Sequence, residues 1–454
     1  MERETFKSRL GFILLSAGCA IGIGNIWRFP YVVGNNGGGI FVLFYLIFLV
    51  AFGIPVLTME FSVGRASKKS IICAYQELEP AGSKWHLHGW LGLFGNYILM
   101  FFYTSVSGWM LYYFFHYLTG QFAGLDKDGV DAAFGAMLAQ PATMMFWMSL
   151  VVVGGIFVCS LGLQKGVERI TKSMMLILLV LIIVLAIHSL TLPGGMEGLK
   201  FYLLPNPDTI AELGLFKVIL AAVNQSFFTL SLGIGSMMIF GSYMGKDRSL
   251  LGESITIAGL DTFVAIVAGL IIFPACFAFG VNPDSGPGLV FVTLPNVFNG
   301  MAGGRIWGAC FFLFLSFASF STIIAVFENI ICCCMDKWQI SRKKASIINL
   351  FVIIIGSIPC VLGFNLWSFI QPLGEGTDIL SLEDFLVSNL ALPIGSLIVL
   401  LFCTRKHGWT FDKYLEEVNI GTGLKVSPKL RFYLTWILPI VLLAIIVNGL
   451  IGVF

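Results

Sequence analysis

Long apolar stretches constrain this chain more than any other feature of its sequence. Eleven stretches are apolar over roughly the twenty residues that a helix needs to cross a bilayer, and only 11% of the 454 residues are charged. Stretches that are apolar on every side must face lipid or protein and not water. The sequence therefore predicts an all-α integral membrane protein with eleven transmembrane helices. The predicted spans are 10–34, 40–63, 90–118, 142–163, 170–190, 215–243, 254–280, 304–335, 346–363, 384–403 and 432–453.

The basic residues are sorted between alternate loops. With the N-terminus in the cytoplasm, all but five of the 27 Lys and Arg residues lie on the cytoplasmic side, as the positive-inside rule requires. The sequence predicts a multi-pass protein of the plasma (cytoplasmic) membrane, surrounded by lipid, with the N-terminus inside and the C-terminus outside. Because the charges form no patch, we expect no nucleic-acid partner. The five exceptions are Lys127, Lys200, Lys217 and Arg305 outside, and Arg28 within a span.

Two spans contain glycine where a membrane helix should be continuous. The first contains Gly18, Gly22 and Gly24, and the sixth contains Gly233 and Gly235. Each glycine weakens a helix by ~1 kcal/mol relative to alanine. Close helix packing is the alternative reading for either span alone. The separation of five spans favours a 5+5 inverted repeat, with broken first and sixth helices and a binding site where the breaks meet.

The proposed repeat divides the chain into three parts. Residues 1–190 form the first repeat with spans 1–5, residues 191–404 the second with spans 6–10, and residues 405–454 a cytoplasmic loop and span 11. The end of a half-helix offers carbonyl groups to a cation, and its start offers N–H groups to an anion. One break can therefore hold a carboxylate and a sodium ion together.

Several motifs follow one another in a characteristic order: GIGNIWRFP at 22–30, NGGG at 36–39, GLQKGVER at 162–169 and FTLSLGIG at 228–235. In these motifs the chain resembles the neurotransmitter:sodium symporter family, above all its bacterial amino-acid transporters with eleven spans. The resemblance implies sodium-coupled secondary active uptake by alternating access, with two sodium ions and no chloride. A non-transporting, sodium-dependent amino-acid sensor is the alternative.

No catalytic cluster lies in the spans, so no enzyme activity is expected. We also expect the protein to function as a monomer.

The resemblance also implies two sodium sites built from uncharged oxygens and one carboxylate. For the second site, the alternative is that both hydroxyls bond back to carbonyls of their own helix. The first site would use the Ala20 carbonyl, Asn25, Thr229, Asp261 and the substrate carboxylate. The second would use the carbonyls of Gly18, Ile21 and Ala318 with the hydroxyls of Ser321 and Thr322.

Asp261 is the most informative single residue. A carboxylate inside an apolar span is costly and is by default a functional candidate. Chloride-dependent relatives have a neutral asparagine at the matching position, so Asp261 would supply the negative charge itself, and transport would not need chloride. A structural aspartate bonded to Asn25 and Gln225 is the alternative.

The lack of an acidic side chain at position 22 indicates the class of substrate. Monoamine carriers of the family have an aspartate at the position of Gly22, and glycine cannot pair an amine, so the ligand should bring its own carboxylate. The resemblance thus implies a zwitterionic L-amino acid with an apolar or aromatic side chain. The carboxylate would meet Gly22, Gly24 and Tyr103, and the ammonium would meet carbonyls of Ala20, Phe228, Thr229 and Ser231. The side chain would lie among Leu99, Val106, Phe228, Ile234, Ser319 and Val326, for which ordinary core packing is the alternative.

Two gates are implied on opposite sides of this site. Arg28 with Asp384 would close the outside beneath a lid of Tyr103 and Phe228. Arg3 with Asp336 would close the inside, near Ser242 and Tyr243, although a solvated surface pair is the alternative there.

Two residues depart from the family pattern: Phe6 replaces a tryptophan, and Leu176 replaces a helix-breaking proline. Glu60 would bind exposed backbone of the sixth span, and Glu328 needs a partner that the sequence does not name.

Overall fold

A computed structural model describes residues 4–122, 124–206, 208–280 and 288–451 of the chain. The regular structure among these residues is helical, and the β-pairing is limited to two isolated bridges, Gly38 with Pro205 and Arg248 with Thr422. The prediction of an all-α protein is confirmed for this part of the chain.

Nine of the described helices are long and apolar enough to cross a membrane. Two further helices, α1 and α2, meet at an angle of 55° and are together long and apolar enough for a tenth crossing. In chain order the elements are α1 (Arg9–Ala20), α2 (Gly24–Asn35), α3 (Gly39–Ser67), α4 (Leu87–Thr119), α5 (Pro141–Ser160), α6 (Leu163–Leu190), α7 (Leu215–Phe228), α8 (Ser236–Ser242), α9 (Leu250–Ala278), α10 (Gly304–Trp338), α11 (Arg342–Gly363), α12 (Ile379–Thr404) and α13 (Pro428–Asn448).

The predicted sixth span, 215–243, is not one helix in the structure. It consists of α7 with 14 residues and α8 with 7 residues. Neither is long enough to cross a bilayer alone, since a crossing needs about 20 residues. The count of eleven crossings therefore depends on whether α7 and α8 act as one interrupted span.

Several predicted boundaries were wrong because helices continue beyond their apolar stretches. Helix α6 starts at Leu163 and not at 170, since Gly162 with φ of +89° turns the chain directly into it. Helix α11 starts at Arg342, where Ser341 accepts a hydrogen bond from the Lys344 N–H and caps the helix. Short helices that the sequence did not predict connect the spans: Ile71–Leu78, Lys127–Leu138, Gly195–Leu203, Asp208–Leu213, Leu289–Gly300 and Phe411–Val418.

Burial separates central from peripheral helices. In α10 the most apolar 18 residues are 78% buried and in α4 67%, whereas in α13 they are only 33% buried. Helices α10 and α4 pack most extensively against each other, and α1 packs on α10. Exposed apolar side chains such as Val180 and Ile187 on α6 and Ile355 on α11 cover the outside. The centre of the bundle is therefore where α1, α4 and α10 meet.

Candidate functional site

The first helix stops halfway along its apolar stretch. Helix α1 ends at Ala20, and Ile21 takes an extended conformation with ψ of 95°. The next two N–H groups bond to side chains: Gly22 donates to Asn25 Oδ1 at 3.4 Å, and Ile23 donates to Tyr103 Oη at 3.0 Å. The predicted break is present, and the carbonyls at the end of α1 are not all used by the helix.

The sixth predicted span is also interrupted. Between α7 and α8 the chain is not helical from Thr229 to Gly235. Ser231, Gly233 and Gly235 have φ angles of 51°, 100° and 76°. A Cβ on Gly233 would lie 2.2 Å from the Leu392 carbonyl oxygen of α12, so glycine is required there by both conformation and space.

Side chains from neighbouring helices hold this interrupted segment. The Gly233 N–H donates to Glu60 Oε1, as predicted for Glu60. The Gly233 carbonyl contacts His88 Nε2 at 2.9 Å, and His88 Nδ1 contacts the Tyr75 hydroxyl at 2.7 Å. Asn96 donates to the Ile234 carbonyl at 2.8 Å. The sequence indicated only Glu60, and His88 and Asn96 are further supports.

The residues predicted for the second ion site lie close together, at the end of α1 and in α10. The Thr322 hydroxyl lies 3.2 Å from the Gly18 carbonyl oxygen, 3.3 Å from that of Ile21 and 3.4 Å from that of Ala318. Ser321 Oγ lies 3.0 Å from the Gly18 carbonyl and 2.8 Å from that of Ala318. The bonds within α10 are present, yet both hydroxyls also reach α1. Each hydroxyl has one proton, so these convergent carbonyls offer more acceptor capacity than the two donors use.

Three of the protein ligands predicted for the first ion site are brought together by hydrogen bonds. Asn25 Nδ2 donates to Asp261 Oδ1 at 2.7 Å, and the Thr229 hydroxyl donates to Asp261 Oδ2 at 2.8 Å. All three residues are buried. Asp261 thus bonds to Asn25 as in the alternative interpretation, but the Gln225 amide forms no hydrogen bond with any described residue.

An enclosed cavity of about 30 Å³ lies between the two breaks. It has room for roughly two water molecules. Seven of the predicted substrate residues line it: Ala20, Gly22, Gly24, Leu99, Tyr103, Phe228 and Ser231. Cys19 and Leu392, which the sequence did not indicate, line it too, as does Thr322.

Five other predicted substrate residues do not line this cavity. Thr229 is engaged with Asp261, and Ser319 Oγ donates to the Ser316 carbonyl at 3.1 Å and lines a separate groove of about 320 Å³. Fewer residues therefore line the cavity in the structure than the sequence suggested. That these five residues contribute to substrate binding stays a prediction. The remaining three, Val106, Ile234 and Val326, are buried in the core.

On the predicted outer side of the cavity, an aromatic ring and an arginine pack against each other. Phe228 packs over Gly24, where an added Cβ would lie 2.7 Å from the ring. The Arg28 guanidinium carbon lies 3.9 Å from the centroid of the Phe228 ring. The expected ion pair with Asp384 is not formed: no Arg28 nitrogen comes within 4 Å of the Asp384 carboxylate, which accepts a bond from Ser388 Oγ at 2.6 Å. Arg28 is thus held by stacking.

On the predicted inner side, Arg3 lies outside the described residues. Asp336 Oδ2 accepts bonds from the backbone and the hydroxyl of Ser70, at 2.7 Å and 2.6 Å. Ser242 Oγ donates to the Ile239 carbonyl at 2.6 Å. Phe6 packs edge-on against Tyr243, with ring centroids 5.6 Å apart. The gate with Arg3 stays a prediction.

Glu328 has a partner that the sequence did not identify. Its Oε2 lies 2.6 Å from Arg342 Nη1, and the Tyr243 hydroxyl donates to its Oε1 at 2.6 Å. Arg342 also bonds to Glu4 at 2.8 Å. This buried ion pair therefore joins α8, α10 and α11 to the chain before α1. A basic residue at the start of the next helix was the available signal.

Broken helices whose free backbone groups surround a buried cavity, with oxygens grouped beside it, are the arrangement found in secondary transporters. Comparison with known proteins agrees with this class. The model of the Sodium:neurotransmitter symporter family matches residues 3–126 and 133–453, so the chain belongs to this family.

Individual relatives cover nearly the whole chain. The uncharacterized sodium-dependent transporter YhdH of Bacillus subtilis is 34% identical over 99% of this chain and 98% of its own length. The sodium-dependent serotonin transporter of Drosophila melanogaster is 25% identical over 99% of this chain and 77% of its own length. The crystal structure of MhsT in complex with L-phenylalanine has a TM-score of 0.89 and 39% identity, covering 99% of this chain and 100% of that chain.

These similarities determine the broad function. The chain is a multi-pass membrane transporter of the sodium-coupled class, and it is not an enzyme. The resemblance seen in the sequence motifs is confirmed.

Proposed function

We propose that this transporter carries a zwitterionic L-amino acid with an apolar or aromatic side chain into the cell, together with two sodium ions and without chloride. The observation that carries the proposal is the meeting of two interrupted helices at one closed cavity. Thr322 of α10 lines this cavity and bonds to carbonyls at the end of α1, and the Asp261 carboxylate accepts a bond from Thr229, which follows the lining residue Phe228. Eleven crossings arranged as two inverted repeats would provide this geometry.

The cavity supports an α-amino acid as the substrate. A Cβ on Gly22 would lie 2.2 Å from Tyr103 Oη and 2.6 Å from Thr322 Oγ1, so no acidic side chain fits there to pair an amine. The cavity walls include Leu99, Phe228 and Leu392, and none of the described residues that line it is charged. The related structure of MhsT holds L-phenylalanine. In our proposal the ligand carboxylate meets the backbone at Gly22 and Gly24, and the ammonium meets carbonyls of the two breaks.

Each sodium ion has a defined role in this proposal. Sodium prefers hard oxygen ligands, as other hard cations do. An ion among Gly18, Ile21, Ala318, Ser321 and Thr322 would hold α1 against α10. An ion at Ala20, Asn25, Thr229 and Asp261 would share the ligand carboxylate, so that substrate and sodium bind together.

Asp261 would make chloride unnecessary. Its carboxylate supplies a fixed negative charge beside the first ion site, bonded to Asn25 and Thr229. We expect wild-type uptake to persist when chloride is replaced by gluconate. An Asp261→Asn variant should lose most of its uptake in gluconate and regain part of it in chloride. Near-total loss of wild-type uptake in gluconate would contradict this part of the proposal.

Alternating access would follow from closing each side in turn. Phe228 packs over Gly24 with Arg28 stacked on its ring, and we propose that this side of the cavity faces outward. We propose that Asp384 pairs with Arg28 at another stage of the cycle, and that Arg3 and Asp336, with Ser242 and Tyr243 nearby, close the inner side.

Labelled flux tests the whole proposal. Purified protein in proteoliposomes should accumulate labelled L-phenylalanine when sodium is high outside, and accumulation should vanish when both sides have equal sodium. Labelled lysine, with a charged side chain, serves as the matched control and should not accumulate. Sodium-dependent binding without flux would instead support the sensor, and neither binding nor flux would contradict the substrate class.

A further inference from the structure

A second, larger cavity lies at one end of the bundle, away from the two breaks. Its volume is about 970 Å³, and it lies where α12 ends and α13 begins. Trp85, just before α4, also lines it, and Trp85 Nε1 donates to the His407 carbonyl at 2.7 Å. Because it lies at the ends of two membrane-crossing helices, this end cavity is at the boundary between lipid and water.

The lining of the end cavity is strongly basic. Arg405, Lys406, Lys429 and Arg431 all line it, and among the described lining residues only Asp412 is acidic. Asp412 pairs with Arg431. Lys406 and Lys429 are exposed, and neither has a carboxylate within 4 Å among the described residues. The end cavity thus presents uncompensated positive charge to a ligand.

Aromatic rings complete the end cavity on its lipid side. The Arg405 guanidinium carbon lies 4.3 Å from the centroid of the Trp436 ring, which fixes this arginine without neutralising it. Trp436 is 51% exposed and Phe432 is 67% exposed. Rings of this kind beside basic residues are typical of the headgroup region of a membrane.

The exposed face of α13 continues from these rings into the apolar part of the helix. Phe432, Trp436, Ile440, Leu443 and Val447 follow one another at intervals of three or four residues and are all exposed. Residues at this spacing form one stripe along a helix. A ligand with a charged headgroup and an apolar tail could place its headgroup in the end cavity and its tail along the stripe of α13. A free phosphate ester could occupy only the end cavity.

We propose that the end cavity binds the headgroup of an anionic phospholipid, with the phosphate between Arg405, Lys406 and Lys429 and an acyl chain along the stripe of α13. Basic pockets between membrane helices are known to select anionic headgroups. The site is separate from the substrate cavity, so it does not depend on the proposed amino-acid substrate.

The test is lipid binding to the purified full-length protein in detergent, measured by native mass spectrometry. Dioleoyl phosphatidylglycerol is titrated against dioleoyl phosphatidylcholine, with glycerol 3-phosphate as the tail-free probe. The double variant Lys406→Gln/Lys429→Gln should bind phosphatidylglycerol about 30-fold more weakly, from the usual contribution of a basic residue near anionic lipid. Wild-type binding of phosphatidylcholine and of glycerol 3-phosphate should be much weaker than that of phosphatidylglycerol.

A matched control separates this site from general surface charge. Lys343 and Lys344 are exposed lysines at the start of α11 and do not line the end cavity. The variant Lys343→Gln/Lys344→Gln should bind phosphatidylglycerol as the wild type does. An equal loss in both double variants would overturn the proposal, as would equal affinity for phosphatidylcholine. Glycerol 3-phosphate binding as tightly as phosphatidylglycerol would assign the cavity to a soluble phosphate ester. Unchanged melting temperatures of both variants exclude unfolding as the cause.

Discussion

Neighbouring side chains leave no space for a Cβ at Gly22, and this constraint adds to the one that the helix break imposes on the backbone. The positions that a Cβ would take there are already occupied by the hydroxyls of Tyr103 and Thr322. Both hydroxyls are buried side chains of central helices and have little freedom to move. A single methyl group at this position would therefore separate α1 from α4 and α10.

We predict that Gly22→Ala weakens sodium-dependent binding of L-phenylalanine about tenfold or more, since overpacking a close contact costs ~1–3 kcal/mol. Equilibrium binding to purified protein is the measurement. Gly259→Ala is the control, because Gly259 lies in α9 with nothing within 4 Å of an added Cβ. An equal effect in the two variants would show that the Gly22 contact is not special.

Thr322 permits a second prediction at the residue scale. Thr322→Val keeps the shape of the side chain and removes the hydroxyl that faces Gly18 and Ile21. The sodium concentration for half-maximal uptake should rise roughly tenfold, because a hydrogen-bonding group that serves a charge contributes ~1.5–3 kcal/mol. Thr322→Ser keeps the hydroxyl and should stay close to wild type. If Thr322→Ser and Thr322→Val behave alike, the hydroxyl is not a sodium ligand.

At the scale of elements, the segment between α7 and α8 is held from two helices at once. Glu60 of α3 binds the Gly233 N–H, and His88 of α4 binds the Gly233 carbonyl. The two successive peptide groups that flank the Gly233 Cα are thus each bonded to a side chain, one through its N–H and the other through its carbonyl. Since an unpaired buried backbone group is costly, these side chains replace the hydrogen bonds that a continuous helix would have made.

We predict that His88→Leu destabilises the protein by about 1–3 kcal/mol, the cost of leaving a buried carbonyl unpaired. The apparent melting temperature should fall, and the KM for L-phenylalanine should rise. His88→Gln, which can still donate to the Gly233 carbonyl, should recover much of both quantities. Tyr75→Phe removes only the bond to His88 Nδ1 and should have the smaller effect. Equal losses in His88→Leu and His88→Gln would indicate that shape, not the hydrogen bond, matters at this position.

The two helix breaks were predictable because glycine clusters mark them in the sequence. Motif resemblance predicted Asn25, Thr229 and Asp261 as ligands of one sodium ion, and the structure brings these side chains together through hydrogen bonds to Asp261. A basic residue at the start of the next helix made Arg342 a candidate partner of Glu328, but the pairing itself was not predicted, since the two residues are 14 positions apart and separated by the turn at Gln339 with φ of 52°. Hydropathy reports which face is apolar but not how helices cross, and contacts between distant helices depend on that crossing.

At the scale of the whole molecule, the predicted arrangement in the membrane can be tested directly. With eleven crossings and the N-terminus inside, the C-terminus should be outside. Alkaline phosphatase fused after the last span should be active in a bacterial host. Green fluorescent protein fused at the same position and exported by the general secretion route should not fluoresce. Fusions in the loop near Lys406 are the control and should show the reverse. An active phosphatase near Lys406 would contradict the predicted orientation.

The cavity between the breaks has consequences for the rate of binding. A space for roughly two water molecules is too small for any amino acid, so ligand cannot enter this conformation by collision alone. Phe228 and Arg28 must first move aside, and that opening is a first-order step. In stopped-flow experiments the observed association rate should therefore level off as ligand concentration rises, and the plateau would report how often the entrance opens.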